Sequence, residues 1–188
     1  MINSDIMQRL GLLTLVGMSA ISLLFHFYTE RIDLAVLILG KSSWYVQLGI
    51  GAATGLIAGK LSSMLILTKL MAPVRKKYEK MFDGLDLNAS EILLISFCAG
   101  VGEELLFRGA IQPFMGIPVT SIIFVAIHGY LDPRNWRLSI YGIWMTLVIA
   151  WIGWATIQFG LITAIVAHML IDVVLLSSNS PEESVKQA

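Results

Sequence analysis

Two adjacent carboxylates and an arginine lie within a strongly apolar stretch of this 188-residue sequence. Glu104 and Arg108 are four residues apart, so on a helix they share a face and can form an ion pair. Glu103 lies about 100° further round the same helix and can face a different partner. Because a charge in the middle of a bilayer costs at least about 2.5 kcal/mol, such residues are candidates for function.

Two histidines and an aspartate occupy later apolar stretches. His128 follows Phe124 by four residues and His168 precedes Asp172 by four, so each pair lies on one helix face. A carboxylate and an imidazole can together deprotonate a water, while a second imidazole stabilises the oxyanion that forms when this water attacks an amide. Alternatively, His128, His168 and Glu103 could bind a catalytic zinc ion with an open water position. These residue types indicate hydrolysis and leave the two mechanisms open.

The composition indicates an integral membrane protein. Hydrophobic residues make up 56% of the chain and charged residues only 14%, whereas a soluble domain carries about 25% charged residues. The mean hydropathy is +0.77. Because the formal net charge is zero, no basic field favours nucleic acid as a partner. Cys98 is the single cysteine, which excludes an internal disulfide and a multi-cysteine metal cluster.

We predict an all-α fold, a polytopic transmembrane helix bundle of about six spans. The spans are expected at 9–28, 44–68, 91–107, 117–131, 138–158 and 160–177. The apolar segment 34–40 is too short to cross and should lie in the membrane interface. Residues 1–188 form a single integral membrane domain with a motif-bearing core at about 93–174, and the tail 178–188 has the composition of a disordered end.

The distribution of Lys and Arg predicts a cytoplasmic N-terminus. Nine of these residues fall on the N-terminal side of the membrane and three on or near the other, in keeping with the positive-inside rule. The first group is Arg9, Lys69, Arg75, Lys76, Lys77, Lys80, Arg134, Arg137 and Lys186, and the second is Arg31, Lys41 and Arg108. From the size and the lack of a targeting signal, we expect the membrane to be the bacterial cytoplasmic membrane.

A stripe of glycines predicts close helix packing. Gly51, Gly55 and Gly59 recur every four residues, so they line one helix face and allow a second helix to approach.

Two prolines predict the turn between the third and fourth spans. Pro113 and Pro118 end one helix and start the next. With these spans, Glu103 and His128 would lie at different depths. Tilting of the third helix, a partly re-entrant fourth segment or a different topology would be needed to bring them together.

The three ordered motifs resemble those of the CPBP family of intramembrane proteases. Three segments are similar to the EExxxR, FxxxH and HxxxN motifs of this family. They are EELLFR at 103–108, FVAIH at 124–128 and HMLID at 168–172. The family includes the CAAX endopeptidase and the bacteriocin-processing and abortive-infection (Abi) proteins. Asp172 departs from the asparagine of the eukaryotic CAAX enzymes, and an ionised aspartate cannot donate a hydrogen bond.

The resemblance implies an intramembrane endopeptidase that cleaves a membrane-associated peptide or protein. Glu103 would be the base that activates water and His128 would help to hold this water. Glu104 and Arg108 would support the site, while His168 and Asp172 would stabilise the tetrahedral intermediate. Asp172 could instead orient His168 or bind metal. The family is described both as metalloproteases and as metal-free enzymes, and the absence of an HExxH sequence favours metal-free catalysis here.

Two other functions fit the same buried polar residues. A small transporter could use Glu, His and Asp to relay protons or bind a cation, although no internal repeat is evident. A non-catalytic immunity or scaffold protein could share the fold, but such a protein would be expected to lose motif residues.

Overall fold

The computed structural model describes residues 4–29, 34–81 and 85–178, and every regular element in these ranges is a helix. Its α-helices are α1 (Ser4–Thr29), α2 (Leu34–Leu39), α3 (Trp44–Ile66), α4 (Ala72–Met81), α5 (Ala89–Glu104), α6 (Gln112–Ile127), α7 (Trp136–Phe159) and α8 (Leu161–Ser178). A π-helical segment, Leu105–Ile111, connects α5 to α6. The all-α prediction is confirmed. The predictions for Arg31, Lys186 and the tail 179–188 lie outside the described residues.

Five apolar stretches of helix in these ranges are long enough to cross a membrane: Ser4–Thr29, Trp44–Ile66, Ala89–Ile127, Trp136–Phe159 and Leu161–Ser178. The third stretch has 39 residues and contains α5, the π-helical segment and α6. A break at Gly116, with φ 72° and ψ 169°, divides it into two helices between Pro113 and Pro118. The protein is therefore an integral membrane helix bundle, and the predicted turn is present.

Local signals set several helix ends. The Asn88 side chain accepts hydrogen bonds from the backbone N–H groups of Ser90 and Glu91, and Glu91 accepts one in return from Asn88. This reciprocal cap satisfies donors that the first turn of α5 leaves open. Asn135 caps α7 in a similar way through the N–H of Leu138. Gly160, at φ 133°, ends α7 and lets α8 begin at the next residue.

The helical segment after Gly116, which corresponds to the predicted fourth span, is shorter than predicted. After Gly116 it runs only to Ile127, which is about 16 Å at 1.5 Å per residue and roughly half of the hydrocarbon thickness. The expected span 117–131 is therefore wrong in length. Glu103 lies thirteen residues before Gly116 and His128 twelve residues after it. Because the chain reverses at this glycine, both residues reach a similar depth, which removes the mismatch that the predicted spans create.

Contacts between helices define the two ends of the bundle. Gln8 bonds to Glu91 and Ser22 to Leu105, so α1 and α5 run parallel. Trp151 bonds to Thr54, and Trp144 bonds to Ser62, so α3 and α7 run antiparallel.

These directions bring the predicted basic group together at one end. The start of α1, the end of α3 and the start of α7 meet at this end, and α8 also finishes there. The basic residues whose side chains are described at this end are Arg9, Lys69, Arg75, Lys76, Arg134 and Arg137. Arg108, by contrast, is buried inside the bundle.

The glycine stripe of α3 packs against α8. A Cβ added to Gly55 would lie 2.6 Å from the carbonyl oxygen of Ala167, and one added to Gly51 would lie 2.7 Å from that of Thr163. These distances leave no room for a side chain. Gly59 faces Val174 and Ile171 in the same manner. The predicted helix packing is confirmed, and it fixes the helix that carries the HMLID motif.

We expect the substitution Gly55→Ala to destabilise the bundle, because its methyl group would force α3 away from the backbone of α8. Overpacking of this kind costs about 1–3 kcal/mol. Thermal unfolding of the purified protein in detergent micelles measures the effect. Gly49→Ala on the same helix is the control, since nothing lies within 4 Å of a Cβ at this position. Equal melting temperatures for the two variants would contradict the close-packing interpretation.

Candidate active site

A fully buried ion pair forms the centre of the site. The Arg108 Nε donates a hydrogen bond of 2.7 Å to Glu104 Oε2. Glu104 is 0% and Arg108 1% exposed. The two residues have the predicted spacing of four and lie at the junction of α5 and the π-helical segment. Since neither charge reaches solvent, each must be compensated by groups of the protein itself.

The remaining donors of Arg108 bind groups from α6 and α7. Arg108 Nη1 donates to Gln112 Oε1 at 2.9 Å, and Nη2 donates to the carbonyl of Ile149 at 3.2 Å. Gln112 Nε2 in turn donates to the carbonyl of Gly153 at 3.1 Å. Sequence reasoning missed Gln112. Its signal is the repeated spacing of four through Glu104, Arg108 and Gln112 on one helix face.

The π-helical segment is held by α1. The Ser22 hydroxyl, which is buried, donates to the carbonyl of Leu105 at 2.7 Å. At the other end, the N–H of Gln112 bonds to the carbonyl of Phe107, five residues earlier. π-Helical turns of this kind occur frequently at functional sites. Here the turn carries Arg108 between Glu104 and Gln112.

Glu103 faces the histidine of the second motif. Its Oε2 lies 3.3 Å from His128 Nε2, and among the described residues this oxygen is buried without a hydrogen-bond partner. His128 Nδ1 lies 2.7 Å from the carbonyl of Phe124. A carbonyl only accepts, so Nδ1 carries the hydrogen and, in a neutral ring, Nε2 has the free lone pair. Two acceptors therefore face each other, a contact that a proton shared between them, or a water that binds both from one side, would stabilise.

His168 bonds to Glu104 instead of Glu103. Its Nδ1 donates to Glu104 Oε1 at 2.9 Å, and its Nε2 lies 3.6 Å from Asp172 Oδ2. Adjacent positions on α5 point to different helices, so each glutamate takes one histidine. The distance to Asp172 exceeds that of a direct hydrogen bond, so His168 Nε2 is left for another partner.

A small cavity lies between the two histidines. It measures about 50 Å³, enough for one or two waters at about 30 Å³ each. Its polar lining comes from His128, His168 and Asp172, and aromatic rings of Phe124, Tyr130 and Tyr141 form much of the remaining wall. Glu103 does not line the cavity itself, but it contacts His128, which does, so the cavity adjoins the Glu103–His128 pair.

The zinc site considered from sequence would need Glu103, His128 and His168 to converge. Instead, Glu103 contacts His128, while His168 contacts Glu104. In the part of the chain that the structure describes, no three His, Cys, Asp or Glu side chains are grouped to hold a metal ion. Cys98 is fully buried and lies on α5 five residues before Glu103.

Comparison with known proteins gives one match. The family described as type II CAAX prenyl endopeptidase Rce1-like matches residues 86–174, the segment that contains all three motifs. No curated protein and no solved structure matches the chain.

We expect the substitution Arg108→Met to lower the free energy of unfolding by about 3–5 kcal/mol, because it leaves the buried Glu104 carboxylate without its cation. The double substitution Arg108→Met with Glu104→Gln should recover part of this loss, since no uncompensated carboxylate then remains. Unfolding of the purified protein in mixed micelles measures both. Lys76→Met, at an exposed position, should change stability by less than about 0.5 kcal/mol. The single substitution Glu104→Gln completes the comparison: if the losses of the two single variants add up to the loss of the double variant, the pair is not coupled.

Proposed function

We propose that the protein is a CAAX-type protease of the membrane in which Glu103 activates the hydrolytic water. The match of residues 86–174 to the type II CAAX prenyl endopeptidase Rce1-like family supports this activity. The proposed substrate is a membrane-associated peptide or protein. The observation that carries the proposal is the pairing of Glu103 Oε2 with His128 Nε2 across 3.3 Å, next to a small cavity that His128, His168 and Asp172 help to line.

The first step is proton abstraction from water. A water bound to Glu103 and His128 gives its proton to the Glu103 carboxylate, and its oxygen attacks the carbonyl carbon of the scissile peptide. The hydrogen bond from His128 Nδ1 to Phe124 keeps the Nε2 lone pair directed at this water. When the tetrahedral intermediate collapses, Glu103 returns the proton to the departing amine. Each proton therefore has a stated origin and destination within the site.

The negative oxygen of the intermediate is stabilised by His168. Its Nδ1–H is bound to Glu104, so a second N–H at Nε2 exists only in the imidazolium form. Glu104 and Asp172 flank this ring and favour its positive charge. The imidazolium Nε2–H then donates to the oxyanion. In this arrangement an aspartate can replace the asparagine of the family motif, because Asp172 orients and charges His168 and need not donate.

Glu104 and Arg108 support the site without contacting the reacting atoms. Glu104 uses Oε2 for Arg108 and Oε1 for His168. The ion pair therefore holds His168 in one orientation, and the catalytic and supporting glutamates have separate tasks.

The substitution Glu103→Gln should abolish cleavage while preserving the fold, because an amide cannot accept the proton of the water. The loss should be at least about 10²-fold, the size of a general-base contribution. Membranes from a strain that lacks the protein are incubated with the purified enzyme in ¹⁸O-labelled water. Mass spectrometry then identifies new peptide C-termini, since hydrolysis places solvent oxygen there.

Asp86→Asn is the matched control, because this carboxylate is exposed and lies outside the membrane-spanning helices. It should leave the set of labelled termini unchanged. If the Glu103→Gln protein labels the same termini at the wild-type rate, Glu103 is not the base and the proposed mechanism is wrong.

We further expect cleavage to survive stringent chelation, because the proposed chemistry uses only Glu103, His128 and His168. The same ¹⁸O labelling is measured before and after dialysis against a strong chelator, together with the zinc content of the active protein. Stoichiometric zinc, with activity lost on its removal and recovered on its return, would contradict the metal-free mechanism and favour a metal-dependent one.

A further inference from the structure

Gln112 is a buried polar side chain that the proposed reaction does not use. It is 6% exposed, and both ends of its amide are bonded. Its Oε1 accepts from Arg108 Nη1 at 2.9 Å, and its Nε2 donates to the carbonyl of Gly153 at 3.1 Å. An amide in an apolar interior is costly unless bonded in this way. Gln112 thus connects the ion pair to the backbone of α7.

The bonds of Arg108 fix the plane of its guanidinium. Three of its nitrogens bind three partners: Glu104 on α5, Gln112 on α6 and the carbonyl of Ile149 on α7. A planar guanidinium with three fixed bonds cannot rotate without breaking at least one of them. Gln112 is in turn anchored to α7, because its Nε2 donates to the carbonyl of Gly153.

The backbone of α7 is shaped for this contact. A Cβ added to Gly153 would lie 2.5 Å from Gln112 Oε1 and 3.1 Å from Arg108 Nη1. Any side chain at this position would therefore displace the amide or the guanidinium. Gly153 provides both a carbonyl oxygen that accepts from Gln112 and the space that lets Gln112 reach it.

We propose that Gln112 is a positioning residue for the protease: through Arg108 and Glu104 it holds the His168 ring in its working orientation. The path consists of four hydrogen bonds, from Gly153 to Gln112, Arg108, Glu104 and His168. It ends on the ring that the proposed function assigns to the oxyanion, so the catalytic part of this inference rests on that function. The effect of Gln112 on the His168 hydrogen bond is independent of it.

The kinetic test uses Gln112→Met, which keeps the length of the side chain and removes its hydrogen bonds. A synthetic peptide spanning the most abundant ¹⁸O-labelled site serves as substrate. We expect kcat to fall by about tenfold or more with KM within about twofold, since a displacement of about 1 Å in a catalytic group can cost 10²-fold in rate. Gly153→Ala places a methyl group against the same amide from α7, so it should likewise lower kcat with little change in KM.

The spectroscopic test does not depend on cleavage. The protein has three histidines, so ¹⁵N-histidine labelling gives few ring signals, and the His168→Gln variant assigns that of His168. In Gln112→Met, we expect the Nδ1 proton of His168 to exchange with solvent about tenfold faster, because its bond to Glu104 opens more often.

Gln47→Met is the matched control, because Gln47 is also buried, at 1% exposure, and both ends of its amide are bonded. Its amide donates to the carbonyls of Leu39 and Ser42 and accepts from the N–H of Ile162, away from the ion pair. This variant should lose stability, but its kcat, its KM and the exchange rate of the His168 Nδ1 proton should stay at the wild-type values.

Unchanged His168 exchange and unchanged kcat in Gln112→Met would overturn the positioning role, even if Glu103→Gln is inactive. If Glu103→Gln remains active but Gln112→Met still accelerates exchange at His168, the proposed function fails while the positioning inference holds.

Discussion

The buried Glu104–Arg108 ion pair is the constraint on which the rest of the site depends. Neither charge reaches solvent, and an uncompensated charge in a low-dielectric interior is strongly destabilising. The pair therefore requires further partners, which come from Gln112, His168 and the carbonyl of Ile149. Because these partners lie on α6, α7 and α8, compensating one ion pair fixes the relative positions of the helices that carry the motifs.

Much of this arrangement could be predicted from the sequence. The spacing of Glu104 and Arg108 predicted their pairing, and the glycine stripe around Gly55 predicted the close approach of α8 to α3. Hydropathy alone overestimates the length of the fourth span, because the apolar residues Tyr130 and Leu131 follow its end at Ile127. The local stop signal is Gly129, which takes φ 77° just after the last helical turn. Hydropathy reports composition and is blind to the break at Gly116 that sets where the helix begins.

The missed features depend on contacts between distant parts of the chain. The π-helical segment is bound by Ser22 of α1, and nothing in its own residues distinguishes it from an α-helical continuation. Gln112 is uncharged, so it carries no signal as strong as that of a buried acid. The choice of histidine for each glutamate likewise follows from the crossing of α5 with α6 and α8. Spacing along one helix identifies faces, but it does not identify which helix each face meets.

The part of α6 after Gly116 reaches only about halfway across the hydrocarbon layer. The segment that follows it therefore needs protein or water to bind its backbone groups. The chain from Gly129 to Asn135 continues toward the end of the bundle outside any helix. Lipid tails cannot satisfy backbone groups, so irregular backbone at this depth must be enclosed by protein or line a wet crevice. Asp132 meets part of this need, because its carboxylate binds the Arg134 N–H and its carbonyl binds the Ser139 hydroxyl. Hydration of the remainder would draw the aqueous phase into the bilayer, next to the Glu103–His128 pair to which the proposed reaction assigns its water.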